Sequence, residues 1–390
     1  MGNTTKWGSS LVAVLVVFAL FGGFFVPNAQ ASIVSLQVTS PNGSELLGGG
    51  TGTVTWTSTG GVSGDLIDIA LVDDVLHSAV VIAPNIAFDA SPYAWVGLPS
   101  VPNGSNYRVQ IFKAGTSVPY DMSDGVFAID NTPPTILSVT THDDNGDGNV
   151  DRATVVFSEP VIELSFNSGV NFSIGGIPAA GISFGTPNDD RFDLLFLPQV
   201  PGTGAKTLVY TPGSGHDLAT PGNLLAAVSV PATDAAASVF LSAKTKTTTT
   251  IEATFSEDID GTTVNGSGNE FTVAGHIVSA AAEHIADDGR VVLTVDTMGT
   301  GETPSVTFTN IDNFRDPTGN QALSPQIRTT TDGIAPTLLA VNIHSNNANT
   351  AFAKVGNTIT VFFTSSEAIM TPSVIIAGSP ATGVANVGNA

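Results

Sequence analysis

Nine consecutive residues of this chain have the types and spacing to hold a hard cation: Asp143-Asp-Asn-Gly-Asp-Gly-Asn-Val-Asp151. Side-chain oxygens at alternate positions, Asp143, Asn145 and Asp147, converge on one point if the backbone turns sharply. A glycine at the sixth place, Gly148, allows that turn. The seventh place offers the backbone carbonyl of Asn149 and the ninth the carboxylate of Asp151. An all-oxygen set of this kind suits calcium, so Asp143, Asn145, Asp147, Asn149 and Asp151 are the expected ligands of a structural Ca2+. The competing reading is a solvated acidic hairpin turn. Thr154 stands at the twelfth place, where a bidentate glutamate would finish the shell, and no flanking helix pattern is present, so the loop alone does not supply full coordination.

A second group of acids recurs along the chain. Asp130, Asp234 and Asp332 each stand where one repeated segment gives way to the next, and Glu159, Glu257 and Glu367 each end a short strand pattern. The plainer reading is an exposed turn aspartate and a strand-end glutamate; the sharper one is a cation pinned between segments. Nucleophilic chemistry has less support. Gly213-Ser-Gly-His-Asp217 places Ser, His and Asp side by side, but a triad is assembled from distant segments, and no nucleophile elbow is present. Glu283-His284 lacks the spacing of a zinc helix, and there is no phosphate loop or dinucleotide fingerprint. The chain is expected to be non-catalytic.

The elements that must position these acids are short strands. Phe157-Ser-Glu159-Pro-Val161 returns as Phe255-Ser-Glu257-Asp-Ile259 and, with a short insertion, as Phe363-Thr-Ser-Ser-Glu367-Ala-Ile369. Phe172-Ser-Ile-Gly-Gly176 is answered by Phe271-Thr-Val-Ala-Gly275 and Val374-Ile-Ile-Ala-Gly378. Asp217-Leu-Ala-Thr-Pro-Gly-Asn223 is answered by Asp316-Pro-Thr-Gly-Asn320. A period of about 100 residues is that of one sandwich domain. Proline joints at Pro133-Pro134 and Ala335-Pro336 favour extended backbone between the copies. Residues 32–130 alternate in the same manner, as in Ile33-Val-Ser-Leu-Gln-Val38 and Gly52-Thr-Val-Thr-Trp-Thr57, with Trp56 and Trp95 read as core rather than as a sugar-stacking surface. Lys244 and Lys246, beside a threonine run, read as guards of an edge strand.

Two resemblances follow from these motifs. Residues 32–130 resemble the immunoglobulin-like domain of yeast cell-wall glucan-assembly proteins through Ser40-Pro-Asn-Gly43, Val54-Thr-Trp56, Tyr93-Ala-Trp95, Tyr107-Arg-Val109 and Asp124-Gly-Val-Phe127. Residues 131–390 resemble the immunoglobulin-like repeats of bacterial surface-layer and adhesin-type proteins. The acidic loop resembles those of dockerins, thrombospondin type-three repeats and EF-hands. Together they imply an all-β chain of tandem immunoglobulin-like β-sandwiches in an extended array: residues 32–130, 131–235 with the calcium loop, 236–333, and an incomplete copy at 334–390. The incomplete copy reads as part of a longer surface protein.

Composition narrows the partners. Among 390 residues there are 34 acidic and 12 basic side chains, a net charge of −22. Such a surface repels nucleic acid and anionic lipid and attracts divalent cations. There is no cysteine, so the modules depend on their cores and any bound ions. Residues 1–31 have the parts of a secretory signal: Lys6, the apolar run Leu11 to Phe21, and Ala29-Gln-Ala31 as a cleavage site. The run is shorter than the ~20 residues of a membrane span, and no later segment could cross a membrane. The expectation is a secreted, calcium-stabilised structural or adhesive stalk at a bacterial cell surface, its partners surface polymers or other surface proteins. Binding of a carbohydrate or cell-wall polymer, or service as the accessory region of a secreted hydrolase, are the alternatives.

Overall fold

The computed structural model describes residues 32–385 apart from 98–99, 117, 286–287 and 312; the expected secretory signal at 1–31 lies outside the described residues. The chain is nearly all β, with 48% of residues in strands and 3% in helices, as the alternating Thr/Val-rich pattern requires. No helix among the described residues is long and apolar enough to cross a membrane. Two compact units emerge. The smaller gathers residues up to Glu45, Thr53–Trp95 and Ser105–Phe127, and the larger gathers Leu46–Gly52, Val96–Gly104 and everything from Ala128 on.

In the smaller unit, Ile33–Ser40, Gly52–Gly60 and Tyr93–Trp95 form one sheet. In a second, Leu66–Asp73 runs antiparallel to both Ser78–Ala87 and Gly104–Lys113. Alternate residues face inward: Val54, Ile67, Ile69, Val109 and Ile111 are fully buried. Trp56 and Trp95 are 4% and 2% exposed, and the Trp56 indole Nε1 donates to the Phe88 carbonyl at 2.8 Å. Both indoles are therefore core and offer no face to a sugar ring. Two stretches from opposite ends of the segment meet here. Asn42 Nδ2 donates to Asp124 at 2.9 Å, the Asp124 amide donates back to Asn42 Oδ1 at 2.7 Å, and the Gly125 amide donates to the Asn42 carbonyl. The backbones approach so closely that a Cβ on Gly125 would lie 2.9 Å from Gly43 Cα, which is why glycine stands at both ends of the contact.

The larger unit contains two complete sandwiches. In residues 131–235 a five-stranded sheet runs in the order Gly181–Ser183, Arg191–Pro201, Asn149–Phe157, Ile136–His142, Thr233–Asp234. A four-stranded sheet, Ile177–Pro178, Phe172–Ile174, Thr207–Tyr210, Val228–Pro231, covers the core. Phe166 sits at the centre, with the rings of Phe157, Phe172, Phe192 and Tyr210 between 5.2 and 6.1 Å away. Residues 236–333 repeat the plan around Phe240, Phe255, Phe271, Phe308 and Phe314. Here one seven-stranded path results, because Gln326–Thr331 pairs with Ser305–Phe308 on one side and with Phe240–Thr247 on the other. Phe240–Thr247 therefore has neighbours on both sides, and Lys244 and Lys246 guard no sheet edge. Lys246 instead pairs with Glu252 at 3.4 Å.

The last copy comprises the hairpin of Leu338–Ser345 with Ile359–Ser365 and the two-residue strands Ile375–Ile376 and Ser379–Pro380. Its register corrects the expected insertion. Ile136 opposes Phe157 and Phe240 opposes Phe255, while Leu338 opposes Ser365. Ser365 thus holds the phenylalanine place, and Phe363 lies two residues earlier, on the same face by the period of a strand.

Candidate metal centres

The acidic loop joins Ile136–His142 to Asn149–Phe157, and its polar side chains fold inward on its own backbone. Asp143 Oδ1 accepts from the Gly146 amide at 2.8 Å and the Asp147 amide at 3.3 Å, and Oδ2 accepts from Gly148 at 2.8 Å. Asn145 Oδ1 accepts from the Asp147 amide, Asp147 Oδ1 from Asn149, and Asp151 Oδ2 from Asp144 and Asn145. Gln199 donates to Asp151 from a neighbouring strand. Gly146 and Gly148 carry φ of 72° and 89°, the left-handed turn that a side chain resists. Asp144, at the second place, turns away and is gripped by both arms of Arg152 at 2.8 and 2.9 Å. Burial raises the Asp143 carboxyl above its ordinary value, against the pull of the three amides. The five expected ligands are thus together on one turn, with the intervening acid facing outward.

The softer pattern of junction acids is where the structure departs from the plainer expectation. Among the described residues, two trios of acids bring one oxygen each to within 4.8 Å of one another: Asp130, Glu159 and Asp217, and Asp234, Glu257 and Asp316. The loop acids form no such trio. Of the junction aspartates, Asp234 is 7% exposed and Asp130 is half-buried, while Asp332 is exposed as the plainer reading expects; the turn aspartates Asp217 and Asp316, which stood outside that pattern, are 1% exposed.

A recurrent local construction brings them together. The serine of each Ser-Glu pair closes a reciprocal backbone and side-chain contact with the residue five places after the junction aspartate. The Thr135 amide donates to Ser158 Oγ and the Ser158 amide to the Thr135 carbonyl, both at 2.9 Å. Val239 and Ser256 do the same at 2.9 Å in each direction, and Thr337 and Ser366 at 2.9 and 2.8 Å. The glutamate that follows is thereby delivered beside the aspartate. The third acid arrives on the late turn. Asp316 Oδ1 accepts from the amides of Thr318, Gly319 and Asn320, and its Oδ2 accepts from Asn320 Nδ2 at 2.8 Å. Asn320 Nδ2 also reaches the Asp234 carbonyl at 3.2 Å. Asp217 and Asn223 repeat this, with Asn223 Nδ2 on the Asp130 carbonyl at 2.9 Å.

Three carboxylates this close are strained as anions: at 4.8 Å and an effective dielectric of about 20, each pair repels by about 3 to 4 kcal/mol. Accordingly Glu257 is pushed up to about 9 by burial first and by Asp234 and Asp316 next, against the Thr203 hydroxyl that lowers it. Glu159 is raised to about 7 by burial, Asp130 and Asp217. In the last copy, desolvation and then the neighbouring Asp332 raise Glu367.

The Ser, His and Asp of the 213–217 loop do not act on one another. His216 Nδ1 bonds the backbone carbonyl of Asp217 at 2.7 Å, and Ser214 Oγ donates to the Ser165 carbonyl, while the Asp217 carboxylate serves the trio.

No family model and no curated protein matches this sequence. Solved structures give weak likenesses. The N-terminal part of the bacterial S-layer protein SbsC is 15% identical at a TM-score of 0.22, over 52% of this chain and 45% of that one. The Bacteroides ovatus surface protein SGBP-B, of a mixed-linkage glucan utilization locus and solved in complex with a mixed-linkage heptasaccharide, is 13% identical at 0.19, over 80% and 74%. The human desmocollin-1 ectodomain is 8% identical at 0.17, over 76% and 58%. This chain therefore spans less than half of the S-layer chain it matches. At these scores nothing of their ligands or partners is carried over.

Proposed function

We propose that the chain is a non-catalytic scaffold of the cell exterior, a run of β-sandwich modules stabilised by calcium in the 143–151 loop. One observation carries this reading. The polar residues that recur from copy to copy, Ser158, Ser256 and Ser366 with Asn223 and Asn320, are spent on tying the start of a module to its own strands or to the residue where the preceding one ends. They line no cleft. Between residues 131–235 and 236–333 the tie is direct: Thr203 Oγ1 donates to Glu257 at 2.6 Å and lies 2.6 Å from Ser256 Oγ. A chain whose repeated side chains make connections is built to hold a form and present surfaces. The signal-like pattern at 1–31 agrees with export. A bacterial surface layer or adhesive structure is the setting these features suit, with surface polymers or other surface proteins as partners.

The exported chain should begin at Ser32 and be removed from intact cells by external protease. N-terminal sequencing of cell-associated protein checks both points. A chain that retains Lys6 and is shielded inside the cell would contradict the reading.

A further inference from the structure

We infer that the two carboxylate trios are divalent-cation sites of a kind separate from the acidic loop, each occupied by a hard ion such as calcium. The inference goes beyond the loop reading and does not depend on it.

The argument is strongest for Asp234, Glu257 and Asp316. The Asp234 side chain is 7% exposed, and its two oxygens have unequal fates. Oδ1 accepts from the Ala236 amide at 3.0 Å, while Oδ2 is buried with no donor. A buried carboxylate oxygen without a donor is costly, and its neighbours are two more carboxylates. Glu257 has one oxygen on Thr203, and Asp316 is held rigid by four backbone and amide donors. These donors fix the orientation of the acids without neutralising the cluster. Among the described residues no ion pair reaches either trio. Lys206 acts on Asp234 and Glu257 through its charge but makes no ion pair with them, its ammonium donating to the Pro201 carbonyl at 3.0 Å.

A divalent cation at the centre would satisfy all of these features at once. Oxygens within 4.8 Å of one another fit on a shell of about 2.4 Å radius, the distance at which calcium takes its ligands. Recurrence is the second support. Asp130, Glu159 and Asp217 stand at the same places of the preceding copy with the same asparagine brace. In the last copy Glu367 again has a buried oxygen without a donor beside Asp332. At the 234 site the ion would fasten the residue that ends one module to the glutamate and aspartate of the next.

The rival is a proton shared between Glu257 and Asp234 in place of an ion. Glu257→Gln separates the two, because glutamine mimics the protonated acid but gives up a charged ligand. The full mature chain is dialysed to equilibrium against calcium chloride at neutral pH, and bound ions are counted. Glu257→Gln should lose one bound calcium, or bind it about tenfold or more weakly, and Glu159→Gln should lose another. Asp147→Ala reads the loop separately. A loss there with none in either glutamine variant overturns the joint sites and spares the loop, whereas losses in the glutamine variants alone support the joint sites and remove the loop's. Should a variant fail to fold, hydrogen exchange on the wild-type chain decides. Calcium should slow the amides of Ala236 and Asn320, and unchanged exchange at both would overturn the inference.

Discussion

Phe308→Ala is expected to destabilise residues 236–333 by about 3 to 5 kcal/mol, the cost of removing a large buried ring and leaving a cavity. Phe308 is fully buried and touches four other rings, with centroids of Phe314, Phe255, Phe271 and Phe240 at 5.0, 5.3, 5.3 and 6.4 Å. Each of those four rings is held by a strand or by its own ring contacts, which limits collapse into the gap. The cost approaches the whole stability of a typical domain of this size, about 5 to 15 kcal/mol. Native-state hydrogen exchange at Ile251 and Leu293, on the paired central strands of this sandwich, measures it. A loss below about 1 kcal/mol would mean that the aromatic cluster is not the core of the module.

Emptying the loop of calcium should have the second-largest effect, and it should act on residues 131–235. The loop brings Asp143, Asp147 and Asp151 onto one turn, and calcium binding to the folded loop but not to the unfolded chain stabilises the module by roughly 2.7 kcal/mol at a hundred times the dissociation constant. For a module of this size that corresponds to a fall in melting temperature of roughly 10 to 20 °C on chelation. Asp147→Ala should remove the loop's share of the calcium response and leave any contribution from the carboxylate trios. Asp147 is the better probe because Asp143 also holds three backbone amides, so its loss would confound folding with binding. Equal melting of the wild type with calcium and with chelator would leave the loop as an acidic turn.

Much of this was legible from residues alone, and what was not has physical reasons. The sandwiches followed from period-two alternation, and the tryptophans of residues 32–130 were correctly placed in its core, since a large apolar ring at an inward position has few other fates. The repeat was visible in Phe157-Ser-Glu and its relatives, but the job of the serine was not. Its partner lies 17 to 29 residues upstream, and only strand register brings the two together. The same holds for Asp217 and Asp316. Each reads locally as the first residue of a turn, and nothing nearby in sequence says that the turn packs against a glutamate some 60 residues earlier. The signal that could have found them was the constant five-residue gap between each junction aspartate and the serine's partner, repeated three times. Lys244 and Lys246 misled because lysines beside threonines suit an edge; the parallel pairing of Phe240–Thr247 with Gln326–Thr331 comes from a strand some 85 residues away. Phe363 misled because a two-residue shift keeps a side chain on the same face, so the pattern survived while its anchor moved.

That buried polar contacts join one module to the next is tested most directly by Thr203→Val in the full chain. Thr203 is fully buried and belongs to residues 131–235, yet its hydroxyl serves Ser256 and Glu257 in the following module. Valine keeps the shape and removes the hydroxyl, leaving the Glu257 oxygen without its donor and the Ser256 hydroxyl without that acceptor, at a cost of about 1 to 3 kcal/mol. Hydrogen exchange should therefore show the amides of Ile251 and Leu293, in residues 236–333, losing protection together with those of Val155 and Leu194 in the altered module. Loss confined to Val155 and Leu194, with Ile251 and Leu293 unchanged, would show that the two modules stand independently and that the Thr203 contact does not join them.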